Sequence, residues 1–387
     1  MSSIHEKLNT VINKTFPIPG RYQGALPSQI AELSRLLTNE RGERSLSYLG
    51  QKKYLYAYLH YFMPWNLYRL CILLPELNLK LSAGDVITDL GCGPLTFVSA
   101  LWVTRPDLRN IPLEFNCIDR VWPVLEAGKK FFTALSEDYT WKINLIKNDI
   151  NIQKSNNNSL YKKASLVSAV NLFNEIYECL PHNNTEGMQR MANNAANYMH
   201  NHAMPNAQIL TVEPGIPQSG RFISYLRYAL MELGRLPEAP CTHMLHCPLT
   251  PQRQAAGIKQ RWCHFAFESI NASKTLRRLS AAAKLPKERL VFSFLLTGGV
   301  TDKTTTQPIQ SDISKIRVIS DAFPLTQSQD RNRFGRYGCS SLGLTLLAGE
   351  KNQIEKLTSL SLVNNMLQKC ENYSIDKKSN AYIIEIK

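Results

Sequence analysis

Between Val86 and Glu213 short apolar runs alternate with longer amphipathic stretches, and no other feature of the chain restricts its fold so strongly. The runs at 86–90, 114–118, 142–147, 164–170 and 208–213 have the length of strands. The stretches between them are long enough for crossover helices, which parallel strands need. The pattern predicts an α/β domain on a parallel sheet. Upstream, Leu33, Leu36 and Leu37, then Tyr54, Leu55, Tyr58, Leu59 and Phe62, recur at helical spacing until Pro64 interrupts, so residues 1–80 are predicted to be a helical N-terminal region. The alternation stops after Glu213. Residues 236–285 then hold four prolines, three cysteines and a run of bases before the apolar run "LVFSFLL". Three further strand candidates, "KIRVIS", "LGLTLLA" and "AYIIEI", predict a small β-rich C-terminal module. The expected divisions are 1–80, 81–235, 236–297 and 298–387.

In "VITDLGCGPL" a strand ends at Asp89, and Gly91 and Gly93 open a tight turn in which backbone N–H groups approach a ligand at the next helix. A dinucleotide fold needs a third glycine where Thr96 stands, so NAD and FAD fit poorly. Asp89 before the first glycine matches the acidic-Gly-x-Gly signature of S-adenosylmethionine (SAM) methyltransferases. Asp119 ends the second strand, where an acid would hold the ribose hydroxyls. Asp149 follows the third, where it would meet the adenine amine. Asn171 and Asn174, in "AVNLFNEI" after the fourth strand, would face the methyl donor. The Asn/Asp-Pro-Pro-aromatic clamp of base-amine methyltransferases is replaced by "NLFN". The "APC" ending at Cys241 follows the fifth strand, away from the expected methyl group. No catalytic base or nucleophile stands out.

Cys241, Cys247 and Cys263 are flanked by Pro240, Pro248, Trp262 and Phe265, and Cys339 stands apart in "RYGCSSLGL". Four thiolates suit a [4Fe–4S] cluster or tetrahedral zinc, with His243, His246 and His264 as possible replacements for one of them. Free buried thiols are the alternative, as for Cys71 and Cys117 in apolar segments.

Lys and Arg outnumber Asp and Glu by 45 to 31, a formal charge of +14 that favours an anionic partner. Residues 251–289 hold nine bases, Arg253, Lys259, Arg261, Lys274, Arg277, Arg278, Lys284, Lys287 and Arg289, against the two acids Glu268 and Glu288. No run approaches the roughly 20 apolar residues of a membrane span, so no membrane partner is expected. The opening "MSSIHEKLNTVINK" resembles neither a secretory signal nor an Arg-rich transit peptide. A cytoplasmic monomer is expected, or a mitochondrial protein if the source is eukaryotic.

"YLYAYLHYFMP", "ITDLGCGPLT", "NLFNEI", "VEPGIP", "APCTHMLHCPL" and "WCHF", in this order across roughly residues 25–350, resemble the methyltransferase-like assembly factors of the small ribosomal subunit, known in mitochondria with bacterial relatives. The resemblance implies a class I SAM-dependent methyltransferase (Rossmann-like) fold with a helical N-terminal region, a Cys-rich metal-binding insertion and the C-terminal module. It implies SAM on Asp89, Gly91, Gly93, Asp119, Asp149 and Asn171. It implies a [4Fe–4S] cluster, with zinc as the alternative, on Cys241, Cys247, Cys263 and Cys339. It further implies binding to small-subunit rRNA and the small-subunit precursor, for which Arg261, Lys274, Arg277 and Arg278 are the candidate contacts. Assembly is the expected role, and methyl transfer to rRNA or a small molecule is the alternative.

Overall fold

The computed structural model describes residues 2–38, 48–136, 138–153, 162–177, 180–181, 184–250, 261–301, 315–325, 332–364 and 374–386. The chain divides into two compact units. The first comprises Met1–Pro181, Asn201–Met204 and Glu268–Leu290, and the second His182–His200, Pro205–Phe267 and Val291–Lys387.

The first unit opens with helices α1 (Ser2–Thr15), α2 (Gly20–Gln23), α3 (Leu26–Thr38), α4 (Lys52–Ala57) and α5 (Met63–Leu73). Of the apolar positions read from the sequence, Leu33, Tyr54 and Leu59 are buried and Leu36, Leu37, Leu55, Tyr58 and Phe62 are half-buried; Leu8, Ile12 and Ile30 add to the core face. Helix α5 buries Met63, Trp65, Leu67, Tyr68, Leu70 and Leu73, as a helix apolar on most sides must. Between α4 and α5 the backbone widens into a π-helical turn, Tyr58–Phe62, a feature that often accompanies functional sites.

Four strands follow, β1 (Val86–Leu90), β2 (Glu114–Asp119), β3 (Lys142–Lys147) and β4 (Ala164–Val170), with α6 (Thr96–Thr104), α7 (Trp122–Ser136) and, after β4, α8 (Phe173–Ile176). They lie parallel in the order β3-β2-β1-β4. The chain therefore reverses direction across the sheet at β1, and the crevice outside the strand ends at such a switch point is where open α/β sheets bind ligands. Helix α7 packs beneath the loop leaving β1. A Cβ built on Gly128 would stand 2.4 Å from the Pro94 carbonyl carbon. We expect Gly128→Ala to cost about 1–3 kcal/mol of stability by overpacking. Urea unfolding measures this, and an unchanged midpoint would mean that the loop yields freely.

In the second unit α9 (Thr185–His202) leads to β5 (Ala203–Pro214), α10 (Pro217–Glu232), β6 (Arg235–Ala239) and β7 (Phe265–Glu268). Helix α11 (Lys274–Ala282) returns to the first unit before β8 (Arg289–Val300), which runs antiparallel to both β5 and β6 and also pairs with β7. A parallel set ordered 3-2-1-4, with an antiparallel strand between the fifth and sixth, is the class I methyltransferase arrangement, so the expected fold is present.

The C-terminal module is larger than its three legible strands. Strands β9 (Ile316–Val318), β10 (Phe323–Pro324), β11 (Arg333–Ser340), β12 (Gly343–Glu350), β13 (Leu362–Val363), β14 (Ile375–Asp376) and β15 (Ala381–Glu385) form a seven-stranded sheet, with helix α12 (Lys351–Lys356) against it. Its core is Ile316, Val318, Leu347, Ile354, Val363 and Ile384. Strand β11 escapes sequence reading because "RFGRYGCS" has no apolar alternation.

The segment 268–290, expected within the Cys-rich insertion, belongs to the first unit. Polar contacts tie it to the N-terminal helices: His5 Nδ1 bonds the Asn271 carbonyl at 2.9 Å, Asn9 bonds Ser273, and Tyr61 Oη donates to the Leu285 carbonyl at 2.8 Å. Among the described residues no helix is long and apolar enough to cross a membrane.

Candidate cofactor cleft and cysteine centre

The loop after β1 places Gly91 at φ +63° and Gly93 at φ +53°, where a side chain is strained. The Gly93 N–H donates to Asp119 Oδ2 at 3.0 Å, and the Val121 N–H donates to Oδ1 at 2.9 Å. One carboxylate thus fixes the ends of two neighbouring loops. Each oxygen keeps lone pairs for further donors such as ribose hydroxyls. Burial raises the Asp119 pKa, the two N–H groups oppose this, and nearby Glu175 adds to it.

Gly91, Gly93, Asp119, Asp149 and Asn171 all line one cleft at these strand ends. Asn171 adopts φ +54°, a strained backbone of the kind concentrated at binding sites. The cleft also takes Tyr58 from the π-helical turn, Asn148, and Arg120 with Glu175, which pair at 3.6 Å. Sequence reasoning left these four without a role. Only the tyrosine-rich run "YLYAYLHYF" hinted at Tyr58. Its phenol is desolvated, and burial, with Glu175 and Asp119, raises its pKa.

Asp89 does not line the cleft. It is fully buried, its Oδ1 accepts from Ser168 Oγ at 2.7 Å, and its Oδ2 has no partner. Burial, opposed by Ser168 and aided by Asp119, pushes its pKa from 3.8 to about 7. Its hydrogen bond to Ser168 joins β1 to β4 just before the glycine loop. Because the folded-state pKa lies above the unfolded value, the native state holds the extra proton. Stability should therefore fall as pH rises from about 4 to about 7, by a total of roughly 4 kcal/mol at most. Asp89→Asn should flatten that slope in urea titrations at pH 5, 6, 7 and 8. An unchanged slope would assign the effect to other groups.

The second unit assembles the cysteines. Cys241 and Cys247 lie in the loop after β6, Cys263 just before β7, and Cys339 on β11 opposite Arg317 of β9 and Leu344 of β12. The thiols share one electrostatic neighbourhood: Cys263 feels Cys247 and Cys241, and Cys339 feels all three. Burial first, then this mutual proximity, raises the pKa values of Cys247, Cys263 and Cys339. His243 Nε2 lies 3.5 Å from Cys339 Sγ. His264 instead stacks on Trp262 and bonds its carbonyl at 3.0 Å.

Arg227 of α10 is the residue that sequence reasoning missed here. It is 2% exposed, and its Nη2 donates to the His243 and Leu245 carbonyls at 2.9 and 2.8 Å, clasping the loop that carries Cys241 and Cys247. Its Nε and Nη1 are buried without a regular hydrogen bond, and the Cys241 thiol is the side chain within reach of the guanidinium. Burial opposes its charge, yet Cys241 and Cys247 raise its pKa overall. The Cys247 N–H donates to Tyr228 Oη at 2.7 Å, and Ser293 Oγ donates to the Cys263 carbonyl at 2.7 Å. Among the described residues no three His, Cys, Asp or Glu side chains are arranged to hold a single metal ion.

The bases expected to contact RNA fall in both units. Lys274, Arg277 and Arg278 project from the exposed face of α11 in the first, whose other face buries Leu276 and Ser280. Arg261 lies in the second, its guanidinium 4.4 Å from the Tyr337 ring centre and its Nη2 3.2 Å from Tyr337 Oη. Arg253 and Lys259 lie outside the described residues.

Residues 119–323 match the family described as mitochondrial small ribosomal subunit Rsm22. No curated protein matches the chain. Among solved structures it is similar to a Listeria monocytogenes protein described as a class I SAM-dependent methyltransferase, at 8% identity and TM-score 0.36, over 80% of this chain and 91% of that one. It is also similar to a Geobacter sulfurreducens SAM-dependent methyltransferase solved with S-adenosyl-L-homocysteine, at 11% identity and TM-score 0.32, over 60% and 90% of the two chains. A third is a 16S rRNA adenine methyltransferase from Catenulisporales acidiphilia solved with SAM, at 14% identity and TM-score 0.30, over 57% and 88%.

Proposed function

Because this chain belongs to the mitochondrial small ribosomal subunit Rsm22 family, we propose that it is a SAM-binding, [4Fe–4S]-bearing factor that engages small-subunit rRNA and assists assembly of the small subunit. The observation that carries this reading is Arg227, a buried guanidinium with no carboxylate among the groups that act on it and four cysteines around it. Beside neutral thiols such a cation has nothing to compensate it, which is costly. Beside four thiolates on a cluster of net negative charge it gains both a counter-charge and acceptors.

Cys241, Cys247, Cys263 and Cys339 would hold the cluster, whose contribution is to tie the loop after β6 to the C-terminal sheet. In the first unit Asp119 would hold the ribose hydroxyls, Asp149 the adenine amine, and the Gly91–Gly93 backbone the methionine part. SAM, when bound, supplies an electrophilic methyl group. The cleft residues account for binding. The clamp that base-amine methyltransferases use is replaced here by "NLFN", so assembly is favoured over methyl transfer to a base amine. Mapping modified nucleotides in small-subunit rRNA from cells with and without the protein separates the two. An unchanged map with impaired subunit assembly is expected, and a lost methyl group would establish the enzyme.

A further inference from the structure

Helices α9 and α10 of the second unit line a cleft of about 450 Å³, a volume within the range of ligand sites. Gln189 and Asn193, four residues apart, come from one face of α9. Tyr228, Ala229 and Glu232, three and four apart, come from one face of α10. His246 of the cysteine-bearing loop adds a second ring, its centre 5.9 Å from that of Tyr228. The Tyr228 ring is held in place because its Oη accepts from the Cys247 N–H at 2.7 Å. Ala229, with only a methyl group, lets a flat molecule approach the helix between the polar side chains.

Glu232 is the most telling of these residues. It is exposed and is the last residue of α10, where the carbonyl end of the helix disfavours an anion, and the last turn holds no basic residue to offset it. No described residue forms an ion pair with it. A carboxylate that gains nothing from its helix and lines a cleft offers two acceptor oxygens to a ligand carrying two neighbouring donors. Guanine alone among the four RNA bases has such a pair on its Watson–Crick edge, the N1–H and the N2 amine, and its O6 and N7 acceptors suit the amide N–H groups of Gln189 and Asn193. Tyr228 and His246 supply ring faces for stacking.

We infer that this cleft is a binding site for a guanine base, and that its occupant is an unpaired guanosine of RNA. The choice of RNA rests on the reading that the protein engages rRNA. It also follows from the described lining, which contains no Lys or Arg to hold the phosphates of a free nucleotide, so the cleft reads the base and the phosphates lie outside it.

The test measures binding of the full chain to a fluorescent oligouridylate with one central guanosine, and to the same probe with inosine, which lacks the N2 amine. A small-subunit rRNA fragment and calorimetry with guanosine monophosphate are run alongside. Inosine should weaken binding of the wild-type chain about tenfold, the loss of one hydrogen bond to a charged acceptor. Glu232→Gln should weaken the guanosine probe by a similar factor and bring the guanosine-to-inosine ratio close to one, which a merely structural role would not do. A ratio that Glu232→Gln leaves unchanged overturns the site. If the rRNA fragment binds while the wild-type chain treats guanosine and inosine alike, the site is overturned and the rRNA reading stands. If no RNA binds but guanosine monophosphate gives heat that Glu232→Gln abolishes, the guanine site stands and the rRNA reading fails. If neither RNA nor the nucleotide binds, the site is overturned.

Discussion

Protein purified without oxygen will be brown, with broad absorbance at roughly 400 nm from iron–sulfur charge transfer, and each of Cys241→Ser, Cys247→Ser, Cys263→Ser and Cys339→Ser will lose that colour. The four residues come from a loop, a strand entrance and a distant strand of one unit, and their thiols share one electrostatic neighbourhood. No direct bond among them holds the arrangement. Ligand binding should therefore be folding free energy for this unit, and each substitution should lower its unfolding midpoint in urea as well as its iron content. Cys71→Ser should keep the colour, because that thiol is buried in α5 of the first unit and burial alone drives its pKa up to about 12. Arg227→Met should keep the four ligands but weaken the clasp on the Cys241–Cys247 loop, giving lower cluster occupancy. Colourless protein with stoichiometric zinc would replace the cluster and keep the ligands. Full metal retention by Cys339→Ser would remove that residue and leave His243, at 3.5 Å from it, as the fourth ligand.

Calorimetry will show SAM binding by the wild-type chain, and Gly91→Ala will abolish it. An alanine there must hold φ near +63° and place its Cβ 2.7 Å from Leu172 Cδ1, so the loop must move where its backbone should meet the ligand. Asp119→Ala should weaken binding at least tenfold, about 1.4 kcal/mol, because a charged acceptor for hydroxyls is lost and the Gly93 and Val121 N–H groups lose their anchor. Asp119→Asn can accept only one of those N–H groups and should fall between. Tyr58→Phe tests the side chain contributed by the π-helical turn. A twofold or greater loss would assign the phenol to the ligand, and no change would leave it as cleft lining. Absence of heat with the wild-type chain would sink the cofactor assignment.

The parallel strands were legible because each obeys a local rule: an apolar run of strand length, a turn, then a helix-length stretch. The predicted runs at 86–90, 142–147 and 164–170 coincide with β1, β3 and β4, and the glycine loop lies where "DLGCG" put it. The first unit's cleft was legible in part for the same reason, since Asp119, Asp149 and Asn171 follow successive strands whose ends the topology must bring together. Asp89 shows where local reading stops. Its place before the glycine pair identifies the loop, but whether its carboxylate meets a ligand or Ser168 depends on which side of β1 it occupies against β4.

The sequence by itself determined the α/β class, the helical start, the four cysteines as candidates and the basic excess, because composition, period and spacing record local conformation and chemistry. Only the tertiary structure decided that Arg227 lies among the cysteines, that Tyr58 and Glu175 enter the cleft, that β11 carries Cys339 within a seven-stranded sheet, and that α11 belongs with the N-terminal helices. The physical reason is common to these cases: a side chain's partner across the core is set by packing and by hydrogen bonds such as Tyr61 to Leu285, and these long-range contacts leave no periodic trace in the chain.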